Sequence, residues 1–294
     1  MTPDTHIEAV AAEAGSARLD KAPPKSAAQR GGKSLDRLGN FGMTIAFGMV
    51  GFASIFALWA LIAALSPGLP TPAESISALV ELLKTPFHDN GPNDKGIGIQ
   101  LMTSLQRVFI GFGIATIVAV PFGFLMGASN AAWSMFNPVV QLLRPVSPLA
   151  WFPLGLVVLK AAPLAAIFVI FITSIWPTLL NTAFGVSSVP QSHKNVAKVF
   201  QFSRTKYVRH VLLPYSLPSV VTGMRISMGI AWMVIVAAEM LSGGTGIGFY
   251  VWDAYNASNL ANVAAAIFLI GFIGMALDFG FGRLQARVAY KEMV

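Results

Sequence analysis

Two ionisable side chains stand inside strongly apolar stretches of this sequence. Arg144 lies in the segment NPVVQLLRPVSPLAWFP, and Glu239 lies in VAAEML. A charge at the centre of a bilayer costs about 2.5–3.5 kcal/mol on insertion scales, so an ionisable residue there is a functional candidate by default. The prolines around Arg144 predict a broken helix, which is tolerated at membrane depth only where it is buried in protein or lines a cavity. Its planar guanidinium suits a planar oxyanion.

Each of these charges also has a structural interpretation. Arg144 would then bond carbonyls freed by the neighbouring prolines, or extend toward the cytoplasm. Glu239, a candidate gate residue, would pair with a cation or lie exposed, because a carboxylate facing a pathway repels an anion. Asp278 and Arg283 are expected to form a solvated or interhelical pair. Three tryptophans are candidates for a pathway lining or, more commonly, an interfacial aromatic belt; they are Trp176, Trp232 and Trp252.

The sequence contains no arrangement typical of catalysis or of a metal site. It has no cysteine, its four histidines are scattered, and it shows neither paired carboxylates nor a nucleophile elbow. The segment AAQRGGKS resembles a P-loop but has Ala27 where the first glycine belongs. SGGTGIG, residues 242–248, lacks dinucleotide-binding spacing and predicts a tight external turn or a re-entrant element. We therefore expect no enzymatic activity, no metal and no cofactor in this chain.

Composition places the chain in a membrane. Of its 294 residues 55% are hydrophobic and 11% are charged, which is too apolar for a single soluble core. Apolar runs long enough to cross about 30 Å of hydrocarbon predict an all-α polytopic protein with about six transmembrane helices. They lie at 43–65, 106–127, 134–159, 163–183, 216–241 and 261–282.

The distribution of Lys and Arg predicts the orientation. Most of them fall in the N-terminal tail, in the segment 184–214 and near the C-terminus, so both termini are expected in the cytoplasm. The net charge of +7 then reflects topology and does not indicate nucleic-acid binding. The remaining divisions are a cytoplasmic tail at 1–42 that is predicted to be disordered, an external loop at 66–97, a core at 98–284 and a cytoplasmic tail at 285–294.

The cytoplasmic segment 188–214 carries several cations and no acidic residue. Ser188 and Gln191 have capping-box spacing and Pro190 suits a first helical turn, which predicts a short helix. Ser203 is placed to cap a second helix, and Pro214 is expected to end it. The two short helices would present an apolar ridge flanked by cations. The alternative interpretation is an ordinary loop lying on anionic lipid.

This segment resembles the cytoplasmic signature of ABC importer permeases, which reads E-A-A, three residues, Gly, nine residues, I-x-L-P. Residues 195–197, NVA, residue 201 and residues 211–214, VLLP, have that spacing, with Asn195 replacing the acid and Gln201 replacing the glycine. Other stretches are similar to permeases of the nitrate, sulfonate and taurine group, and most of all to the nitrate-type subunits. They are PFHDNGPNDKGIGIQ, LLRPVSPLAWFPL, IFVIFITSIWPTLLNTAFGV and AWMVIVAAEMLSGGTGIGFYVWDAYN.

The resemblance implies a type I ABC importer permease fold with two short cytoplasmic coupling helices. It also implies that the segment docks into a cleft of an ATPase subunit. The coupling residues carried over are Asn195, Val196, Ala197, Val199, Phe200, Gln201, Leu213 and Pro214. Within them, the docking surface is expected to comprise Val196, Ala197, Val199, Phe200 and Leu213, with Lys198, Arg204 and Lys206 on its rim.

By the same resemblance the chain is expected to import nitrate, with nitrite as a second substrate. The implied partners are cytoplasmic ATPases that bind ATP and Mg, a second permease copy, and an external substrate-binding protein. The implied location is the bacterial inner membrane. Bicarbonate, cyanate and sulfonates such as taurine remain alternative substrates. A secondary anion transporter, in which Arg144 and Glu239 form the ion-coupling pair, is an alternative from another class, as is a membrane-bound enzyme.

Overall fold

The computed structural model describes residues 27–66, 68–91 and 94–289, and within these ranges it is almost entirely helical. It contains one isolated β-bridge there, between Asp89 and Lys95. The helices are α1 (Ala27–Leu65), α2 (Pro72–Lys84), α3 (Ile97–Ala128), α4 (Asn130–Leu143), α5 (Trp151–Leu159), α6 (Ala162–Ser187), α7 (Gln191–Val199), α8 (Arg204–Ser242), α9 (Ile247–Asn256) and α10 (Leu260–Ala289).

Five helices are long and apolar enough to cross a membrane, and a bent pair brings the number to six in the described residues. The five segments are Ala46–Leu65, Ile97–Ala128, Ala162–Ser187, Arg204–Ser242 and Leu260–Val288. The pair is Asn130–Leu143 with Pro148–Leu159, which meet at 87°. This confirms the predicted fold class of an all-α polytopic protein with about six spans. We call the bent pair the broken span.

The N-terminal region differs in part from the sequence-based prediction. The chain divides into two compact units, 1–59 and 60–294. Residues 1–26 of the predicted tail lie outside the described residues. Residues 27–42, which were expected to be disordered, belong to α1. The remaining features described below all lie in the second unit.

Prolines shape the spans without ending most of them. Pro121, Pro138, Pro177 and Pro218 lie inside α3, α4, α6 and α8. Membrane helices tolerate such prolines because neighbouring groups satisfy the freed carbonyls. The real break follows Arg144, the C-cap of α4, and a 3₁₀ turn at Pro148–Ala150 leads into α5. The broken helix predicted around Arg144 is therefore confirmed.

The core is built where α6 packs along both α3 and α8. Two glycines permit the close approach of these helices. A Cβ added at Gly111 of α3 would lie 2.7 Å from Cβ of Ile170 in α6, and one at Gly223 of α8 would lie 2.7 Å from Cβ of Asn181. The buried apolar residues at these contacts include Val108, Phe112, Ala166, Val169, Met228, Ala231 and Ile235.

The predicted external loop contains a helix that sequence reasoning missed. α2 begins with a capping box, in which Thr71 N donates to Glu74 Oε2 at 2.8 Å and Glu74 N donates to Thr71 Oγ1 at 3.3 Å. The pattern T-P-A-E is the usual sequence signature of such a start. The loop is thus partly helical before it enters α3.

A hydrogen-bonded turn joins α2 to α3. The two ring nitrogens of His88 lie 2.7 Å from the Thr85 carbonyl oxygen and 3.0 Å from Asp94 Oδ1. Because both partners are acceptors, they favour the doubly protonated ring and raise the pKa of His88, the Thr85 carbonyl contributing most. The pKa of Asp94 is lowered, first by the amide of Asn90 and then by His88.

Candidate functional site

The segment 184–214 forms the end of α6, α7 and the start of α8. α7 begins at Gln191 after the N-cap Pro190, and no side chain caps it. Ser188 Oγ instead donates to the Gly185 carbonyl at 3.0 Å, so the capping box predicted for Ser188 and Gln191 is wrong. Ser203 does cap the second helix, because its Oγ accepts from Lys206 N at 3.3 Å.

α7 exposes an apolar ridge, which we define as Val196, Val199 and Phe200. Val199 is 78% exposed and Phe200 is 70% exposed. Ala197, which was expected on the same surface, is only 6% exposed, since it lies on the inner side of α7. Ala197 nevertheless lines a groove between α7 and the start of α8, together with Lys198 and Arg204, and its part in docking stays a prediction.

The remaining members of the expected surface lie in the solvent-exposed part of the segment. Asn195 is exposed on α7, and Leu213 and Pro214 are exposed on α8. Three exposed cations accompany the ridge, as predicted for its rim, and one of them, Lys206, stacks 4.4 Å from the Phe202 ring centroid. They are Lys198, Arg204 and Lys206.

Gln201 explains why the family signature has a glycine at its position. Its φ is +48°, in the left-handed region that glycine adopts at least cost. Phe202 N donates to the Ala197 carbonyl and Gln201 N donates to the Lys198 carbonyl, which is the Schellman pattern of a helix C-terminus. The turn is therefore kept although the glycine is absent.

Pro214 does not end a helix, contrary to the sequence-based expectation. The backbone passes from an α-helical turn at Arg204–Tyr207 through a π turn at Val208–Leu212 into the long helical segment Leu213–Ser242. In a π turn each N–H bonds the carbonyl five residues back, so the missing N–H of Pro214 falls where the register changes. The result is the uninterrupted helix α8.

A cavity of about 500 Å³ lies between the broken span, α6 and α8. Arg144 and Trp151 line it from the broken span, and the remaining walls come from α6 and α8. These walls include Thr173, Trp176, Asn181, Ile226 and Ile230. Arg144 is the charged member of this lining, which consists entirely of described residues and contains no carboxylate. We call this space the Arg144 cavity.

The guanidinium of Arg144 is unpaired among the described residues. The backbone N–H of Arg144 donates to the Val140 carbonyl at 2.9 Å, which continues the helical pattern of α4. Its side chain is exposed and makes no hydrogen bond or ion pair within the described part of the chain. It therefore does not tie down the carbonyls freed by the nearby prolines.

Glu239 lies in a different place and is fully buried. Its carboxylate oxygens lie 2.9 and 2.7 Å from Ser104 Oγ, and Arg107 Nη1 donates to Oε1 at 2.7 Å. Gly248 N donates to Oε2 at 3.1 Å. The pairing interpretation of Glu239 thus fits the structure. We call Gln100, Ser104, Arg107 and Glu239 the buried polar cluster.

The buried polar cluster holds the glycine-rich turn 243–246 against α3 and α8. Gln100 Oε1 accepts from Gly246 N at 2.6 Å, Ser104 Oγ accepts from Ile247 N at 2.8 Å, and Arg107 Nη1 donates to the Thr245 carbonyl at 2.7 Å. A Cβ at Gly246 would overlap the Glu239 carboxylate, and Gly246 has φ of +153°. SGGTGIG is therefore a tight turn that starts α9.

Sequence reasoning missed the partners of Glu239, although a signal was present. Gln100, Ser104 and Arg107 recur at spacings of four and three residues in an otherwise apolar helix. Such spacing puts them on one face of α3. What the sequence does not reveal is that this face meets α8 and the turn.

A second corrected pairing joins α8 to α10. Asp278 pairs with Arg225, whose Nε and Nη2 donate to its two oxygens at 2.7 and 2.6 Å. Arg283, the partner expected for Asp278, lies 4.3 Å from the Phe279 ring centroid. Arg225 Nη1 also donates to Gln285 Oε1 at 3.1 Å. The side chains cross between helices, so the interhelical character was predicted but the cation was not.

The three candidate tryptophans occupy three different environments. Trp176 lines the Arg144 cavity. Trp232 is buried and its Nε1 donates to the Ile270 carbonyl at 2.9 Å. Trp252 is exposed and stacks on Tyr255 with the ring centroids 5.8 Å apart. Of the three, Trp176 fits a pathway lining.

Comparison with known proteins decides the family. Residues 119–290 match the family described as "Binding-protein-dependent transport system inner membrane component", which is more than half of the chain. The chain belongs to this family. It is the multi-pass inner membrane subunit, or permease, of an ABC importer, as the sequence signature predicted.

The permease has named relatives at high coverage. It is 41% identical over 244 residues to the nitrate import permease protein NrtB of Synechocystis sp., covering 83% of this chain and 89% of that protein. It is 43% identical over 249 residues to the bicarbonate transport system permease protein CmpB of Synechocystis sp., covering 83% and 87%.

Solved structures support the fold. An inward-facing structure of the MetNI methionine ABC transporter matches with a TM-score of 0.58 at 16% identity, covering 64% of the permease and 93% of that chain. An amino acid ABC transporter matches with a TM-score of 0.54 at 13% identity, covering 74% and 97%. At these identities the likeness concerns architecture alone.

Proposed function

We propose that this permease imports nitrate, with nitrite as a second substrate, by alternating access driven by separate ATPase subunits. The observation that carries the ATP-driven part is the exposed apolar ridge of α7. Burying an apolar side chain of this size is worth about 1.5–3 kcal/mol, so such a ridge favours a protein partner. The cations at its rim would set the register and partner choice.

The proposed assembly follows from the family's dependence on a binding protein. It comprises a second copy of this permease, two cytoplasmic ATPases that bind ATP and Mg, and an external substrate-binding protein. Both termini and α7 would face the cytoplasm. The positive-inside distribution of Lys and Arg supports this orientation.

Nitrate is proposed as the substrate because several relatives at about 40% identity are named nitrate import permeases. Bicarbonate is the second candidate, since equally similar relatives carry that name. Nitrate and bicarbonate are both small planar oxyanions of charge −1. Cyanate and taurine lack this geometry and are weaker candidates.

The competing secondary-transporter hypothesis loses its main argument. It required Arg144 and Glu239 to act as an ion-coupling pair. In the structure Glu239 is saturated by Ser104, Arg107 and Gly248. Arg144 lines a cavity to which Glu239 does not contribute.

Substitution of one ridge residue tests the coupling role. Val199→Asp places a charge at the most exposed position of the ridge, so ATPase co-purification with the permease should fall at least tenfold while membrane insertion is unchanged. Val199→Thr, which has nearly the same shape without a charge, should retain the ATPase. Undiminished capture of the ATPase by Val199→Asp would contradict the proposed docking.

Substrate identity is tested by uptake of labelled nitrate in cells lacking the permease, with and without its return. Nitrite should compete, whereas bicarbonate, cyanate and taurine should not. Uptake should also stop when the partner ATPase is inactivated, and it should survive collapse of the proton gradient while ATP is maintained. Bicarbonate uptake that depends on the permease, without nitrate uptake, would replace the first candidate by the second.

A further inference from the structure

We propose that the Arg144 cavity is a binding site for a small planar oxyanion of charge −1, with Arg144 as its anchoring residue. This inference rests on the proposed function, because it assigns to the import pathway a site that holds the transported anion. It names a position in the permease itself, in addition to whatever an external binding protein recognises.

The first argument is the concave shape of the site. Three separate parts of the chain wall the cavity, namely the broken span, α6 and α8. Its volume is about 500 Å³, whereas one water molecule in the liquid occupies about 30 Å³. The cavity is therefore much larger than an anion of four heavy atoms. An anion in this cavity would therefore keep part of its hydration shell.

The second argument is the state of the Arg144 side chain. Two guanidinium groups that contact other helices are neutralised by acids, Arg107 by Glu239 and Arg225 by Asp278. Arg144 has no such acid within the described residues, and no carboxylate lines its cavity. An unpaired cation beside largely apolar walls attracts an anion and repels a cation.

The third argument is the hydrogen-bonding character of the walls. The guanidinium presents N–H groups in a planar fork that matches two oxygens of a planar oxyanion. The indole N–H groups of Trp151 and Trp176 make no hydrogen bond among the described residues, so both remain available as donors. Asn181 uses one amide N–H on the Pro177 carbonyl at 2.8 Å and keeps the second.

Together these groups supply donors and positive charge to a site with few acceptors. Thr173 also lines the cavity, but its hydroxyl donates to the Val169 carbonyl at 2.7 Å. A ligand rich in acceptors, such as nitrate, nitrite or bicarbonate, fits this set. A zwitterion such as taurine would bring an ammonium group for which the lining offers no carboxylate.

The absence of cysteine from the chain allows a direct test. Thr173→Cys places one thiol in the cavity wall, and Ala257→Cys places one in the exposed turn before α10. Each variant is purified in the assembled transporter, and modification of this chain by a small maleimide is followed by mass spectrometry. Nitrate, bicarbonate and chloride are added in parallel at equal ionic strength.

We expect nitrate to slow modification of Thr173→Cys at least threefold, with little effect of chloride and none on Ala257→Cys. Adding Arg144→Gln should remove the protection, and Arg144→Lys should restore part of it, because Lys keeps the charge but loses the fork. Ile226→Cys serves as a second reporter if Thr173→Cys does not assemble. Equal protection with and without Arg144 would overturn the proposal, as would an absence of protection in a complex that transports nitrate.

Uptake by cells that carry the same variants separates failure of the site from failure of the proposed substrate. Arg144→Gln should lower nitrate import about tenfold while leaving the amount of assembled complex unchanged. Full nitrate import by that variant would reject the site and leave the proposed function standing. Bicarbonate transport and Arg144-dependent protection by bicarbonate, without either effect for nitrate, would keep the site and reject nitrate.

Discussion

Removing the charge of Glu239 should destabilise the permease because it leaves Arg107 without its partner in a buried site. The Arg107 side chain is 12% exposed and that of Glu239 is fully buried. Both carboxylate oxygens of Glu239 accept hydrogen bonds, from Ser104, Arg107 and Gly248. In Glu239→Gln an NH₂ group, which is itself a donor, replaces one of these oxygens and must face one of the same donors. Breaking one side of a buried ion pair typically costs about 3–5 kcal/mol.

The coupling between the two residues can be isolated with a double-mutant cycle. Glu239→Gln and Arg107→Gln should each lower the free energy of unfolding by about 3 kcal/mol or more. The double variant should lose at least about 1 kcal/mol less than the sum of the two, because no unpaired charge remains. Unfolding in SDS titrations of the purified permease gives the three differences.

A control variant distinguishes loss of the ion pair from a general loss of packing. Val234→Ala removes buried apolar volume from the same helix without touching the buried polar cluster, so its effect should add to that of Arg107→Gln. The conclusion that the ion pair stabilises the permease would be refuted if the losses in free energy of unfolding for Glu239→Gln and Arg107→Gln were additive. A loss below about 1 kcal/mol for Glu239→Gln would also refute it.

Further predictions concern the turns. Gly248→Ala should destabilise the permease by about 2 kcal/mol or more, because the new Cβ would overlap the backbone of α8. In the control Gly113→Ala the new Cβ meets no atom within 4 Å, so this variant should be neutral or stabilising. Thermal unfolding compares the two variants. Gln201→Gly should stabilise the end of α7 by about 1 kcal/mol in the same assay, since its φ is +48°. In ¹³C-histidine NMR, Asp94→Asn should lower the pKa of His88. Because folding raises that pKa, the protonated His88 ring contributes its full stabilisation at pH values below its ordinary pKa, and this contribution is lost as the pH rises through the pKa of the folded state. In Asp94→Asn the free energy of unfolding should therefore change less with pH over this range.

The sequence predicted the features that depend on local composition. Hydropathy located the spans, and the prolines around Arg144 located the break, because both effects act within a few turns of one helix. The cap at Ser203 was likewise a local pattern. α2 was missed although its Thr71–Glu74 box was equally local, because the surrounding loop was interpreted only through its charge and topology.

Features that depend on distant partners were predicted less well. Ala197 and Val196 are adjacent and both apolar, and only the packing of α7 against the rest of the chain decides which one is buried. Glu239 and Asp278 were recognised as charges that need partners, but Arg107 and Arg225 lie 132 and 53 residues away. Pro214 was assigned the usual role of a helix terminator, and the π turn that accommodates it left no clear sequence signal.

The continuity of α8 has a mechanical consequence. Its 39 residues extend about 58 Å, from the cation-rich turn beside α7 to Glu239 and the glycine-rich turn at the other end. A straight rod of this length that tilts by about 5° around its midpoint moves each end by about 2.5 Å in opposite directions. The Glu239 end of α8 is held by side chains of α3, so displacement at the end beside α7 either carries α3 with it or removes two donors, the Ser104 hydroxyl and the Arg107 guanidinium, from the Glu239 carboxylate. α8 would therefore transmit a force applied beside α7 to the hydrogen bonds between Glu239 and α3. The strength of these bonds sets how large that force must be to move α8 relative to α3.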